Sequence, residues 1–471
     1  MRNGKLILKN KQTRLLYYAI ALVVLFFCCL FSEYKDSSVI ALIVFGVTEV
    51  VFVLESPRTV FKYLFFFFGI IANVIGCFIC EFGYFYLTEL STYSHYVGAL
   101  PSLILAQLLF FVCIYEWEKK EENKHRKVFE IRKSINENTI CMLNCFVFVL
   151  YLSLFVHVLP YSAIKLNIDR MTFSSLGLDS GIWGYLSKWA QFFIVIPIGC
   201  IAYTRKKKFK VFGVITLIIY CLYYLWIGNK FGSFFSLFCV FCMLNFSRFD
   251  LKEKTLKRVF LIVLGVIAVL ILVAAWIFTK YQNQSSGVNT YLQNRLAEQG
   301  QLYWRTYEVS GGKYHLSEIG DEIVGQFSGL SRTEDLVGAK HGVYHIMYLC
   351  APKQRVDAFI LYGSRYTEAG YASVFYYFGA FGCIILAILF ARIIVSLTNM
   401  IIISTKNNNL LGMILMVRLY FVTCTALSMF LFSDYFTGTS ILTYLWCIYL
   451  RSGGKTITFK RKSDIRYVLR R

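Results

Sequence analysis

Arg295, Arg305, Arg332, Arg355 and Arg365 fall in one polar stretch of about 90 residues, together with His315, His341 and His345. A guanidinium stays charged at any physiological pH and presents a planar fork of donors that fits phosphate or carboxylate oxygens. Gln299 and Trp304 stand close to Arg295, and an amide beside an indole suits sugar hydroxyls and the face of a sugar ring. Arg365 and Glu368 are three positions apart, which suits a phosphate ligand with a general base, or an ion pair between the two. His341 and His345 share a face if helical. They suit proton acceptance near neutral pH or plain surface hydrogen bonding, and two histidines alone are an incomplete metal set. A further cation, Lys230, sits in Gly228-Asn229-Lys230-Phe231-Gly232-Ser233, where glycines let the backbone approach a ligand closely. That turn also reads as a tight hairpin whose lysine reaches lipid headgroups. Arg295 and Arg305 likewise read either as ligands for a bound anion or as the polar face of an interfacial helix resting on lipid phosphates.

The elements that must position these residues are membrane spans. The chain has 471 residues, 57% hydrophobic, 18% aromatic and 16% charged, with a mean hydropathy of +0.58. Those values exclude an ordinary soluble domain. A span needs about 20 apolar residues. Twelve runs meet that need or approach it: 15–31, 39–54, 60–80, 97–115, 139–159, 188–204, 211–227, 231–247, 259–279, 371–397, 410–432 and 436–450. Backbone groups in lipid must bond within their own segment, so these runs are helices and the fold class is an all-α polytopic membrane protein. The chain divides into a membrane region of about nine helices (1–279), a polar loop (280–370), a membrane region of about three helices (371–450) and a basic tail (451–471). Within the loop, Tyr291, Leu292, Leu296, Tyr303 and Tyr307 recur near helical spacing, with Arg295 and Gln299 on one face. This pattern predicts a short amphipathic helix lying on the bilayer surface and ended by Gly311-Gly312.

Lysine and arginine set the orientation. Basic clusters at 2–14, 119–133, 205–210, 248–258 and 451–471 all fall on one side of a twelve-span chain, whereas residues 81–96 carry none. The positive-inside rule then predicts cytoplasmic termini, with the 280–370 loop on the exterior face. The net charge of +22 resides in those clusters, which read as orientation signals and lipid contacts and not as a nucleic-acid surface.

Nothing in the sequence supplies a nucleotide-binding loop or a dinucleotide fingerprint. No complete metal-ligand set or cofactor motif is visible either, so metal-independent chemistry is expected. Of 15 cysteines only Cys350 lies well inside the polar loop, which argues against a disulfide framework there. Glu49 and Arg418 are the notable charges within apolar runs, and they suit either function or mutual neutralisation.

Three segments resemble the bacterial oligosaccharide repeat-unit polymerases, the Wzy-type O-antigen and capsule polymerases. Gly228 to Ser233 looks like that family's exterior Gly-x-Arg-Gly turn, with Lys230 in place of arginine. Arg295 to Gln301 with Trp304 looks like its Arg…Gln-Gly-Gln segment. Tyr366 to Gly370 followed by Tyr377 to Gly382 looks like its return to the membrane after the large loop. The resemblance implies a multi-pass protein of the bacterial cytoplasmic (inner) membrane. It implies transfer of a growing glycan from undecaprenyl diphosphate onto an incoming lipid-linked repeat unit, without cofactor or metal. Lys230, Arg295, Gln299, Arg305, Arg355 and Arg365 would then bind substrate, with Glu368 or His345 as base. Membrane lipids, a chain-length regulator and a flippase would be its partners. The alternatives are a lipid-linked oligosaccharide flippase, an O-antigen ligase with a different acceptor, and a secondary transporter. The last is expected to show interrupted short helices at equivalent places in both halves, which the sequence does not display.

Overall fold

The protein is described by a computed structural model that covers residues 11–129, 137–161, 166, 181–228, 232–246, 288–328, 334–406 and 409–451. It is an all-α polytopic membrane protein. Among the described residues, nine helices are long and apolar enough to cross a membrane. In chain order the first helices are α1 (Lys11–Leu30), α2 (Lys35–Glu55), α3 (Pro57–Lys62), α4 (Leu64–Phe82), α5 (Leu100–Phe129) and α6 (Glu137–Val158). They are followed by α7 (Gly181–Phe193), α8 (Val195–Tyr203), α9 (Lys207–Trp226) and α10 (Gly232–Phe246). The polar stretch contributes α11 (Val288–Ala297), α12 (Gln301–Ser310), α13 (Ile319–Phe327), α14 (Gly342–Cys350) and α15 (Lys353–Leu361). The chain then forms α16 (Ala369–Lys406), α17 (Leu410–Met429) and α18 (Gly438–Arg451). A two-stranded hairpin, β1 (Tyr86–Leu87) with β2 (Thr92–Tyr93), joins α4 to α5 in antiparallel register. The run expected to span at 259–279 lies outside the described residues.

Sequence grammar explains the helix ends. Pro57 opens α3, where a missing N–H costs nothing. Asn409 caps α17 by accepting from the Gly412 N–H at 3.0 Å. Gly311 closes α12 in the left-handed conformation. The apolar window of α5 is 78% buried and that of α1 only 28%, so α5 is central and α1 faces lipid. α16 packs chiefly on α5 and α17. At one end of the bundle a buried ion pair joins Lys62 and Glu118. Lys62 also donates to Asn399 Oδ1 at 2.8 Å, tying α3, α5 and α16 together. At the other end, hereafter the loop end, the polar stretch meets the bundle: the Tyr303 hydroxyl lies 2.9 Å from Ser102 Oγ and Gln326 donates to the Phe430 carbonyl at 2.7 Å.

Two expectations about this architecture need correction. Glu49 and Arg418 do not neutralise each other. Arg418 donates to Ser440 Oγ at 2.8 Å and Thr437 Oγ1 at 3.1 Å, whereas neither Glu49 oxygen has a partner among the described residues. One interrupted helix, which the sequence reading did not show, is also present. Gly379 sits at φ +65 and ψ −165 inside α16, and the Cys383 thiol lies 3.6 Å from the Tyr371 carbonyl. In a straight helix residues twelve apart are separated by about 18 Å along the axis. The chain therefore folds back at Gly379. Ala369–Phe378 is a half-helix of about 15 Å lying against the membrane-crossing remainder. Its free carbonyl at Tyr376 accepts from the His315 N–H at 2.8 Å.

Candidate functional site

Two segments of the polar stretch dip into the bundle and meet on α4. The first is the junction between α11 and α12. The sequence predicts one surface helix through Arg295, Gln299 and Tyr307. The structure instead breaks it at Glu298-Gln299-Gly300 and buries its second half, with Leu302, Tyr303, Trp304 and Thr306 all at most 2% exposed. The reason is a backbone-to-backbone approach. A Cβ on Gly300 would stand 2.1 Å from the Cys77 nitrogen, and one on Gly76 would stand 2.4 Å from the Gly300 nitrogen. Trp304 completes the docking by donating its indole N–H to the His95 carbonyl at 2.9 Å. Gln299 lies beyond the end of α11 and so does not share a helical face with Arg295.

The second segment is Tyr366 to Ala369, at the start of the half-helix. Thr367 Oγ1 lies 3.4 Å from the Glu298 carbonyl, and Glu368 accepts from Asn73 Nδ2 at 3.1 Å. Glu368 adopts φ +61, a left-handed conformation that costs a residue with a side chain about 1–2 kcal/mol. Strain of this kind persists only where the surroundings over-determine it. Here the surroundings are Asn73 on one side and the tight seating of Gly370 on Leu427 on the other. Asn73 is nine residues inward from Phe82, about 13 Å along α4. Glu368 thus stands inside the bundle, and it does not pair with Arg365.

Around the mouth of this junction lies a charged cluster. Arg295 pairs with Glu298 at 2.6 Å, Gln301 donates to Glu89, and Arg355 donates to Ser91 Oγ at 3.0 Å. The Glu89 carboxyl is raised from 4.5 to about 7, by burial first and then by the nearby Glu298 charge, against the Gln301 bond, Arg295 and Arg355. Burial also raises Glu298, against Arg295. Glu89, Glu298 and Gln301 were not anticipated from sequence. Glu298 and Gln301 stand within the quoted Arg295–Gln301 segment, but no spacing rule links either to Glu89, some 210 positions away.

The remaining candidates lie elsewhere. Arg305 pairs with Glu308 at 2.5 Å, which also meets His95 at 3.1 Å. Arg365 is exposed, 4.0 Å from the Met429 sulfur and 5.9 Å from the Tyr344 ring centroid. His345 sits with Tyr376 and Tyr377, 3.8 Å from Glu318. Burial lowers the His345 and His341 pKa values from 6.5, which favours the neutral form of both rings. No group of three metal-ligating side chains occurs among the described residues. Lys230 and Arg332 lie outside the described residues.

The chain is similar, over residues 337–445, to a family of unknown function, DUF6418. That match covers less than a quarter of the chain. It includes Arg355, Arg365, Glu368 and the Gly379 fold-back, and omits Asn73, Glu89 and Arg295. No curated protein and no solved structure matches the chain.

Proposed function

We propose that the protein is a polysaccharide polymerase of the bacterial cytoplasmic membrane. It would transfer a growing glycan from undecaprenyl diphosphate onto an incoming lipid-linked repeat unit at the extracytoplasmic face. One observation carries this reading. Arginines 295 and 355 are grouped around Glu89 at the loop end, and the adjoining α11–α12 junction contacts the segment that holds Glu368, a carboxylate in a strained conformation beside Asn73. Such a transfer must position two lipid-linked substrates, stabilise charge growing on the departing diphosphate and accept a proton from the attacking hydroxyl. Arg295 and Arg355 suit the charge, with Arg365 at the rim. Glu368 suits the proton, because among the described residues its carboxylate is held by the Asn73 amide and not by a cation. His345 remains an alternative base: burial favours its neutral ring, but it is grouped with tyrosines away from the arginine cluster. The basic clusters of the sequence support cytoplasmic termini and an exterior loop end.

The test uses purified protein and lipid-linked repeat units, with polymer length read on a gel. Arg295→Lys and Arg365→Lys keep the charge and lose the fork. Each is expected to cost about 2–4 kcal/mol of transition-state stabilisation, roughly 30- to 1000-fold in rate. Activity should persist in EDTA. Normal ladders from Arg295→Ala and Arg365→Ala at normal abundance would remove both residues from the site. The fold-back at Gly379 favours one rival, a transporter, since broken helices commonly build transport sites near the membrane midplane. A transporter would move lipid-linked glycan across proteoliposome membranes without lengthening it.

A further inference from the structure

Helix α13 is built inside out. Its polar residues Glu322 and Gln326, four apart and so on one face, are buried. Ile323, Val324 and Phe327, on the other side, are 53%, 70% and 61% exposed. Hydrogen bonds hold it in this orientation. Glu322 accepts from the Gly342 N–H at 2.8 Å and from the Tyr377 hydroxyl at 3.0 Å. Gln326 donates to the Phe430 carbonyl and accepts from the Phe432 N–H at 2.7 Å. The polar face of α13 is thereby fixed to the start of α14, to the half-helix and to the chain beyond α17. Single exposed apolar residues are ordinary, but a contiguous apolar face turned outward marks a partner surface or a membrane.

The neighbouring residues decide between those two. The Phe327 and Phe436 rings stand 4.4 Å apart. Phe436 is itself exposed and leads into α18, where Ile441, Leu442 and Leu445 are exposed as well. Residues 436–450 are the last apolar run of the sequence, so the exposed side chains of α18 meet acyl chains. One apolar surface thus runs from α18 through Phe436 and Phe327 onto α13. At its edge Asp321 pairs with the exposed Lys340 at 3.4 Å, an ion pair suited to headgroups and water.

We propose that α13 lies in the membrane interface at the loop end. Ile323, Val324 and Phe327 seat among the acyl chains of that leaflet, with Asp321 and Lys340 at headgroup level. The surface helix of this protein is then α13 and not the α11–α12 segment, whose second half is buried. Because Glu322 also holds Tyr377, the bilayer sets the level of the half-helix. The proposal uses neither the polymerase nor the transporter reading.

The experiment is photo-crosslinking of the full chain in nanodiscs of phosphatidylethanolamine and phosphatidylglycerol. Benzoylphenylalanine replaces Ile323, Val324 or Phe327 in turn, and Lys340 as the control, with circular dichroism and monodispersity matched to the wild type. After irradiation, intact-mass spectrometry should show one phospholipid added at each of the first three positions. The yield should exceed that at Lys340 at least tenfold. Alkaline hydrolysis of the lipid esters should leave a fatty acid on the chain, which marks the contact as acyl. Four outcomes would each overturn the proposal. They are a yield no higher than at Lys340, loss of the fatty acid on hydrolysis, adducts chiefly joining two chains, and adducts chiefly within one chain. The third would mean that a second copy covers the face, and the fourth that another segment of this chain does. Whether the protein forms polymer bears on none of them.

Discussion

At the scale of single residues, the informative side chains are carboxyls placed where carboxylates are uncomfortable. Glu89 and Glu298 face each other's charge at the loop end, and Arg295 and Arg355 only partly relieve it. The consequence for stability follows from proton linkage. The Glu89 carboxyl is raised from 4.5 to about 7 on folding. Between those values the folded chain holds a proton that the unfolded chain has released. The stability this contributes is full below the unfolded value and is lost as pH rises through about 7. The apparent Tm of the wild type should therefore fall between about pH 5 and pH 8. Glu89→Gln keeps an amide where the protonated acid stood, so its Tm should fall less and should exceed the wild type's at about pH 8. Parallel curves for the two proteins would show that Glu89 is ionised throughout.

At the scale of elements, glycine contacts decide where the polar stretch can dock. The approach of Gly300 to Gly76 and Cys77 is backbone on backbone, so no side chain can rotate away. Gly300→Ala should lower the apparent Tm in detergent by more than a usual overpacking substitution, which costs about 1–3 kcal/mol. Gly46→Ala is the control: nothing lies within 4 Å of its Cβ position. Alanine there should be neutral or stabilising by up to about 1 kcal/mol. If Gly300→Ala and Gly46→Ala melt alike, the α11–α12 junction does not sit on α4. These contacts also show what the sequence could carry. Long apolar runs announce α1, α2, α4 and α16, because crossing lipid demands length and apolarity from each helix by itself. The end of α12 at Gly311 was likewise legible, since a glycine there serves one local need. The break at Gly300 and the fold-back at Gly379 were not. A glycine inside a helical pattern becomes a break only through its neighbours, and those are Cys77 and Tyr371, distant in the chain or hidden by a continuous apolar run. The same limit separated Arg295 and Glu368, which share the junction, from Arg305 and His345, which do not. All four have suitable chemistry, and only tertiary contacts sort them.

For the whole molecule, the decisive question is which side of the membrane the loop end faces. The fold fixes that Arg295, Arg355 and Glu368 lie at the same end, and leaves to charge which compartment that end meets. Basic clusters at 2–14, 119–133, 205–210, 248–258 and 451–471 argue from loops far apart in sequence, and lysine and arginine in short loops are retained in the cytoplasm. Reporter fusions after Glu130, Lys207 and Lys460 should therefore give cytoplasmic signals, and fusions after Ser310 and Lys340 extracytoplasmic ones. The result bears on chemistry as well as on topology. A loop end outside the cytoplasm has no nucleotide donor available, so any transfer there must use a donor that arrives already activated on a lipid. A cytoplasmic signal from residue 310 would invert the bundle, expose the arginine cluster to nucleotide pools and remove the premise of the polymerase reading.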